Sequence, residues 1–432
     1  MVDLFNAADI CENELKALGI NKYIFSVSRG EKSEFNVDGG EFSLFRTLFN
    51  SAASVTVYED GRKGGAATNR LDEDSIKQAV ANAHTASQAA QPDPAWEIAP
   101  KADITEYADG ALVGDTEKLF ERTRELVADV KKRHPKIIIE QLIVSYDKAE
   151  RLYVNSSGTK FHRTMGEYGF ELMFSAHDGE EATSFFETGL STVSLDTPFI
   201  EMGSVERDLA DVEAQLGPKP FEGKEVGVIV LTPGVADSFI GSIIDNFASD
   251  GVILSGTSIW KDKLGEKVAD ERITISADPF HPSVICGERL TGEGFVSEKY
   301  DFIKDGVLEN LCLSLYVANK VGGKRAPCST FPCVIKPGDK SLDEIVSGIK
   351  SGIIVGRFSG GDPGTSGDFS GVAKNSFRIE DGKVTYPLTE VMISGNLADL
   401  LNNVVGISSE TVSDGSGSIP YMAFGGVTIS GK

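Results

Sequence analysis

The chain has 432 residues, 41% of them hydrophobic and 25% charged, with 46 Gly and 16 Pro spread along it. These values exclude a disordered or fibrous protein and suit two domains of about 200 residues each. The formal net charge is −23, and no basic stripe offsets it. Direct nucleic-acid binding is therefore not expected, because so acidic a surface repels phosphate backbones.

The N-terminal sequence, the apolar stretches and the cysteines limit where in the cell the protein is expected. The N-terminus, Met1–Asn6, has no basic region followed by an apolar run, and Ile353–Val355 is typical of the longest apolar stretches. We therefore expect neither a secretory signal nor a membrane-spanning helix. The five cysteines are few, odd in number and scattered, which favours a reducing compartment over a disulfide framework. The sequence thus predicts a cytoplasmic protein that does not contact membranes.

The first half alternates between helical and strand-like patterns. Apolar spacing and acidic first turns indicate the helices, whereas alternating β-branched and aromatic residues predict strands over 22–70 and again after residue 137. The order helix, strands, helix, helix, strands, helix is compatible with a duplicated unit, although no self-similarity at the residue level supports it. The predicted helices span residues 4–19, 72–91, 116–133 and 198–216.

A linker separates the two halves. Gly217–Gly223 contains two glycines and two prolines among seven residues, which is typical of a connecting segment. We place the boundary near residue 220, with one domain over 1–220 and a second over 221–432.

The second half begins with an apolar strand at 226–231 and a helix over 234–249, and then becomes rich in strands and turns. Hairpins are expected about Asp305-Gly306 and Asp381-Gly382, and Ser341–Glu344 is a capping box that opens a short helix. Sparse helices among many paired strands predict an α+β fold with a curved or barrel-like sheet in this domain.

The usual catalytic and metal-binding motifs are missing from the sequence. No two of the five histidines are spaced for one helical face and none is followed by Glu, so there is no HExxH zinc motif. Cys328 and Cys333 form the one close cysteine pair, but further ligands nearby are lacking. There is no GxSxG nucleophile, no phosphate-binding loop and no dinucleotide fingerprint. We predict no catalytic and no metal-ligating residue in this chain.

Several blocks of the second half resemble the TldD/PmbA family, whose members were once labelled modulators of DNA gyrase and are regarded as peptidase components. Their order and spacing match over nearly all of residues 225–432, and the stretch at 57–72 is similar too. The matching blocks are Gly256–Pro279, Tyr300–Gly306, Gly367–Ser370 and Asn375–Leu397.

The resemblance implies two branches that pair. In the TldD branch, a helix after the first strand of the C-terminal domain carries an HExxxH-type motif, and a cysteine near the C-terminus completes a zinc site. Here the matching helix, Ser238–Asp250, has neither His nor Glu, and the matching loop, Thr411–Ile419, has no cysteine. The chain is therefore identified as similar to the PmbA branch, also called TldE, which lacks the zinc motif.

This resemblance implies a catalytically silent, non-metal subunit of a metallopeptidase complex. Zinc is expected in a TldD-like partner, which would form a heterodimer with this chain; without the partner, homodimers are expected. Together the subunits would enclose a chamber in which unfolded peptides are degraded or matured. Pairing also predicts an exposed apolar dimer surface, expected in the C-terminal domain.

A peptide held as an added strand gains backbone hydrogen bonds with little sequence preference. The strand edge at Gly367, Asp368, Phe369 and Ser370 is the candidate peptide groove. The other interpretation of Gly367 and Gly371 is a bend or bulge in a core strand.

Two other functions stay open at this point. The chain alone is a homo-oligomeric peptidase if Asp245, Asp250 and Glu293 form a non-standard site with a borrowed metal, for which these carboxylates would have to face one cavity. Alternatively, it is a binding or modulator protein that acts on another target, as the older family label suggests.

Overall fold

The computed structural model describes residues 3–361 and 363–431. Helices contain 24% of the residues and strands 41%, with a curled half-barrel sheet and a strand-rich C-terminal region, so the predicted α+β class is confirmed. Within these two described ranges, none of the helices combines the length and the apolar character that crossing a bilayer requires.

The predicted helices over 4–19, 72–91 and 116–133 are confirmed to within two residues at each end. The one expected over 198–216 is broken into a 3₁₀ turn, Phe199–Glu201, and a shorter α-helix, because Met202 is extended and Gly203 adopts a positive φ of 55°. The helices of the first half are α1 (Leu4–Ala17), α2 (Glu73–Ala89), α3 (Thr116–Arg133) and α4 (Val205–Glu213).

The strands of the first half form one eight-stranded sheet in the order β3-β2-β1-β5-β6-β4, with β7 and β8 also paired to β6. These strands are β1 (Tyr23–Asp38), β2 (Glu41–Glu59), β3 (Arg62–Thr68), β4 (Glu106–Gly110), β5 (Ile137–Asn155), β6 (Lys160–Asp178), β7 (Glu181–Ala182) and β8 (Phe186–Thr192). Two long hairpins, β1–β2 and β5–β6, meet through the antiparallel pair β1–β5.

This arrangement repeats a unit of helix, three strands and helix. The first unit runs α1-β1-β2-β3-α2 and the second α3-β5-β6-β8-α4, so the strand order is a palindrome about β1 and β5. Phe25 and Phe35 lie on the same face of β1. Phe25 packs in the core with α1 and α2, whereas Phe35 packs in the core with α3 and α4. All four helices therefore cover the same face, which leaves the other face for a different neighbour.

The second half contains a nine-stranded and a four-stranded sheet. In the larger one the central strand β9 pairs in parallel with β14 and antiparallel with β21. Its helices are α5 (Pro233–Ile243), α6 (Asp250–Leu254), α7 (Leu315–Val321), α8 (Leu342–Ser347) and α9 (Leu397–Asn402), and a π turn, Ile244–Ala248, follows α5.

The predicted hairpins and the capping box at Ser341 are confirmed. The strands are β9 (Lys224–Leu231), β10 (Ile275–Ala277), β11 (Tyr300–Lys304), β12 (Val307–Leu308), β13 (Cys333–Ile335), β14 (Ser351–Val355), β15 (Arg357–Ser359), β16 (Asp368–Lys374), β17 (Ser376–Glu380), β18 (Lys383–Leu388), β19 (Val391–Asn396), β20 (Val404–Val412) and β21 (Ile419–Ser430).

Polar contacts join the first sheet and its helix α4 to the second half. Arg163 on β6 donates to the backbone carbonyls of Cys286 and Gly287 at 2.7 and 3.0 Å. Arg207 on α4 donates to the Tyr421 hydroxyl at 2.8 Å. The strands of the two large sheets come from opposite sides of residue 220. The domain boundary at that residue stays a prediction.

Candidate functional site

A cavity of about 1340 Å³ lies between the two halves. The sheet of the first half lines it with Ser145 and Glu167, and α4 adds Asp208. The second half contributes the start of α5 and the loop at 414–416. Cavities of this size between domains are the usual place for a binding site.

The start of α5 reaches this cavity because of the strand before it. β9 is buried between β14 and β21, and the chain turns at Thr232 into a helix with Pro233 in its first turn, where the missing N–H is not needed. Thr232, Pro233 and Asp237 therefore face the cavity. The π turn that ends this helix is a type of distortion found frequently at functional sites.

The loop at 413–418 reaches the same cavity from the C-terminal side. Its backbone is held by both halves, since Ser191 on β8 donates to the Asp414 carbonyl and Ile285 to the Gly415 carbonyl, each at 2.7 Å. Gly415 has a φ of 94°, and an added Cβ would crowd Ser191, so the position requires glycine. Of the two segments that the family resemblance singled out, Thr411–Ile419 lines this cavity, whereas the residues of α5 that line it precede Ser238.

The side chains at this convergence are acids and a thiol. Burial raises the pKa of Asp237, and the Asp414 carboxylate raises it further. Burial also raises the pKa of the Cys333 thiol well above its usual range, and the neighbouring Asp237 adds to that shift. Burial among apolar groups and beside an acid thus favours the neutral thiol form of Cys333.

This donor set does not fit zinc. Zinc sites use neutral histidine, thiolate and carboxylate ligands in a tetrahedral arrangement. Neither α5 with its π turn nor the loop at 413–418 supplies a histidine or a cysteine. Over residues 3–361 and 363–431, no three His, Cys, Asp or Glu side chains are grouped so that they can hold a metal ion.

A second group of acids lies where α4 meets β8. Asp208 accepts hydrogen bonds from Thr188 and Ser204 at 2.6 and 2.7 Å. Burial raises its pKa to about 6, and burial also raises the pKa of Asp211. Such carboxyl groups keep a proton closer to neutral pH than exposed ones and can then donate a hydrogen bond.

The cavity as a whole is negatively charged. Among the described residues that line it are eleven carboxylates, against two basic side chains, Lys32 and Arg207. Glu167 on β6 has a pKa raised by burial and by the nearby Asp147. A concave site with walls of one charge sign concentrates ligands of the opposite sign. The arrangement therefore suits ligands with cationic groups and with carbonyls that accept hydrogen bonds.

The predicted groove residues lie elsewhere. Gly367 precedes β16, and Asp368 and Phe369 border a separate cavity of about 350 Å³. The Asp368 carboxylate accepts from Asn396 at 2.9 Å, whereas Phe369 is buried in the core. Ser370 follows Phe369 on β16 and precedes Gly371. Gly367 has a φ of 85°, and a Cβ there would press on Phe247 at 2.7 Å, as the structural interpretation expects.

The carboxylates of the homo-oligomeric alternative do not line the 1340 Å³ cavity. Asp250 accepts from the Ser314 amide at 2.9 Å and Glu293 from the Leu315 amide at 2.7 Å, so both bind backbone at the start of α7. Asp245 lies near Cys312. The histidines also have local partners: His84 contacts Glu59, His134 contacts Glu213, His162 contacts Glu150, His177 contacts Ser175 and His281 accepts from Ser283.

Sequence reasoning missed Asp208, Asp211 and Asp237, and it considered Cys333 only as a member of the close cysteine pair. One signal was available for α4, where Val205, Leu209 and Val212 form the buried stripe and Asp208 lies beside it. Nothing local marks Asp237, since its importance depends on Asp414, far away in the chain.

Two family models match the chain. That of the PmbA/TldA metallopeptidase C-terminal domain matches residues 224–431, and that of PmbA/TldA metallopeptidase domain 1 matches residues 24–87. A metalloprotease of Methanothermobacter thermautotrophicus is 34% identical over 204 residues, which is 42% of each chain. The metalloprotease PmbA of Escherichia coli O157:H7 is 25% identical over 427 residues, covering 92% of this chain and 88% of that protein.

A solved structure has the same fold. The crystal structure of TldE from Thermococcus kodakarensis superposes with a TM-score of 0.88 at 21% identity, covering 98% of this chain and 100% of that one.

Proposed function

The chain belongs to the PmbA/TldD metallopeptidase family, and we propose that it is a non-metal subunit of the PmbA or TldE type. In this proposal it assembles with a TldD-like partner that holds the zinc. The complex works in the cytoplasm on unfolded peptides, and this chain is silent alone.

One observation carries the proposal. The start of α5 and the loop at 413–418 converge on a large interdomain cavity, yet the groups that they place there are Asp237, Asp414 and Ser416 beside a neutral Cys333. A large cavity between the two halves whose donor set does not fit zinc supports a structural and substrate-binding role. When bound in the partner, zinc supplies an activated water and polarises the scissile carbonyl.

The chain's own residues suit the holding of peptide. The acidic walls attract cationic side chains and peptide N-termini. Burial inside a cavity also excludes water from the bound segment. In this proposal the chain provides a wall of the chamber and the peptide meets the catalytic groups of the partner there.

The test combines metal content with peptidase activity on an unfolded peptide, for the purified chain with and without a TldD-like partner. We expect the chain alone to be free of stoichiometric zinc and inert, and chelator-sensitive cleavage to appear on mixing. If the chain alone binds one zinc and cleaves peptide, the proposal is wrong.

A variant tests the role of the acidic wall within that complex. Replacing Asp237 and Asp414 with Asn is expected to raise KM for a lysine-rich peptide several-fold at low salt, with a smaller effect on a neutral peptide. The control is Asp262→Asn, which changes an exposed carboxylate outside the cavity. An equal rise in KM for both peptides would remove the electrostatic part of the proposal.

A further inference from the structure

The first turn of α5 carries backbone N–H groups that have no partner. Gly234 and Val235 are the second and third residues of this helix, and no described residue accepts a hydrogen bond from their amides. Thr232, which precedes the helix, makes no side-chain cap, since its hydroxyl donates instead to the Gly356 carbonyl at 3.3 Å. N–H groups left free at the start of a helix can donate to the acceptor atoms of a ligand.

This helix start borders open space. Thr232, Pro233 and Gly234 all line the 1340 Å³ cavity. A Cβ added to Gly234 would meet no atom of the described chain within 4 Å. A ligand in the cavity can therefore approach the first turn of α5 without displacing a side chain.

A second unpaired polar group borders the same cavity. Asn375 lines it as well, and this residue is only 9% exposed. The amide nitrogen of Asn375 donates to the Ser184 carbonyl at 3.5 Å, whereas its buried Oδ1 accepts from no residue that the structure describes. A buried acceptor without a donor costs free energy, so such atoms are rare and require an explanation. The terminal torsion of asparagine is soft, so the amide can turn this oxygen toward a ligand.

The backbone conformation of Asn375 does not by itself explain the amide. The residue has a φ of 47°, in the left-handed region where asparagine, aspartate and glycine are the usual residues. Three aspartates of this chain, Asp60, Asp305 and Asp381, have almost the same φ. The turn therefore selects for a residue of this class and leaves the unpaired acceptor unexplained.

The two groups are neighbours because both pack on Gly356. Thr232 donates to the carbonyl of this glycine, and a Cβ added to it would lie 2.3 Å from the Asn375 carbonyl oxygen and 3.1 Å from the Asn375 Cβ. No side chain fits at this position, which lets the turn at Asn375 approach the end of β14. The parallel strands β9 and β14 end side by side here, at Leu231 and Val355.

We propose that Asn375 and the start of α5 bind the main chain of one residue of an extended peptide. In an extended chain the N–H and C=O of one residue point to the same side. The N–H donates to Oδ1 of Asn375, and the C=O accepts from Gly234 or Val235. Proline lacks the N–H and is therefore excluded at this position, whereas other side chains are not read. The subsite rests on the proposed function and deepens it, since it names where the peptide is held and which residue is rejected there.

The charge around the subsite favours a neutral main-chain group over a carboxylate. Free N–H groups at a helix start also attract anions. Asp237 lies one turn after Gly234, however, and Asp414 is close enough to raise the pKa of Asp237. Because these two acids repel a further carboxylate, the C-terminal end of a peptide is disfavoured here.

Binding of a labelled peptide to the purified full chain tests the subsite. The probe is a short, lysine-rich unfolded peptide, and its dissociation constant is measured by fluorescence anisotropy. Asn375→Gly keeps the backbone conformation and removes the acceptor, so we expect the dissociation constant to rise about three- to tenfold. Asn375→Asp keeps an acceptor and should retain the affinity. The control is Asp381→Gly, at an exposed turn residue with a φ of 46° outside the cavity, which should change nothing.

A modified probe separates a main-chain hydrogen bond from a structural effect. A peptide with methyl groups on all its main-chain nitrogens cannot donate to Asn375. Methylation should therefore weaken binding to the wild type more than it weakens binding to Asn375→Gly, so that the two losses do not add.

Capping the helix tests the other half of the subsite. Thr232→Asn supplies a side-chain acceptor that can cap the amides of Gly234 and Val235. We expect weaker peptide binding without a loss of thermal stability, whereas a purely structural defect would lower both.

Three results would overturn the proposal: equal affinities of the wild type and Asn375→Gly, additive losses in the methylation experiment, or binding that requires a free rather than an amidated C-terminus. A chain that binds no peptide alone overturns it too, although cleavage by the mixed subunits would then leave the proposed function standing. Conversely, peptide binding that depends on Asn375 without cleavage on mixing supports the subsite and refutes the catalytic part of the proposed function.

Discussion

The two units of the first sheet have the same order of elements but differ in how their outer strand edges are covered. In each, a long hairpin is flanked by a seven-residue strand, β3 or β8, and by two helices on one face. In the second unit β4 covers the remaining edge of β6, and Arg163 joins that edge to the second half. In the first unit the equivalent edge of β2 stays open and apolar. One end of a repeated scaffold is thus covered by an added strand, whereas no strand of the described residues covers the other.

The two units also differ in how they bury a carboxylate between strand and helix. In the first, Glu59 on β2 contacts His84 and Ser87 of α2 at 2.7 and 2.6 Å. In the second, Asp208 on α4 is held by the hydroxyls of Thr188 and Ser204. The pKa of Asp208 rises because burial outweighs the opposing effects of these hydroxyl groups and of Arg207.

Removing the ion pair between Arg163 and Asp109, at the edge of β6 that β4 covers, is expected to have the largest effect on stability. Arg163→Ala leaves Asp109 without its partner at 3.0 Å and removes two hydrogen bonds to the backbone of the second half. We expect a loss of about 3–5 kcal/mol in the free energy of unfolding, measured with urea. Arg151 lies opposite on β5 and is exposed, so Arg151→Ala should cost less than about 0.5 kcal/mol. Equal losses in the two variants would contradict this account.

The buried acid of the second unit should show in the pH dependence of stability. The folded-state pKa of Asp208, about 6, exceeds its ordinary value of 3.8, so the folded chain binds more protons between these values. Its contribution to stability is therefore largest below pH 3.8 and is lost as the pH rises to 6, by about 3 kcal/mol. In Asp208→Asn this loss should disappear, so the stability of the variant relative to the wild type should rise between pH 4 and 7. A constant difference across that range would refute the prediction.

The close approach of β4 should tolerate no side chain at Gly166. Ala111 donates to the Gly166 carbonyl at 2.6 Å, and a Cβ on Gly166 would overlap the Ala111 carbonyl oxygen. Gly166→Ala is expected to cost about 1–3 kcal/mol in thermal or urea unfolding. Gly169→Ala is the control on the same strand, because nothing lies closer than 3.7 Å to its added Cβ. If both variants lose the same stability, the closed edge is not the cause.

The open edge should give the smallest effect on the isolated subunit. Leu48 is 43% exposed, and on the side away from β1 no strand of the described residues pairs with it. Leu48→Lys should therefore change the free energy of unfolding by less than about 0.5 kcal/mol at concentrations where the chain is monomeric. A loss above about 2 kcal/mol would mean that this edge is already packed.

Most elements were predictable because their signals are local. The acidic first turns of α2 and α3, the Asp-Gly turns and the capping box at Ser341 each act within a few residues, and each appears where the sequence predicts it. The helix expected over 198–216 was wrong in its middle, since Gly203 takes a positive φ that its neighbours in sequence do not signal.

The sequence by itself determined the α+β class, the family and the lack of histidine in Ser238–Asp250 and Thr411–Ile419. Only the tertiary structure decided which acids share that cavity, because Asp237 and Asp414 are brought together by β9 and β21 lying side by side. It alone also decided which strand edge stays open. The local sequence of an apolar segment such as 42–49 does not show whether another strand covers it. Coverage depends on pairings between segments far apart in the chain.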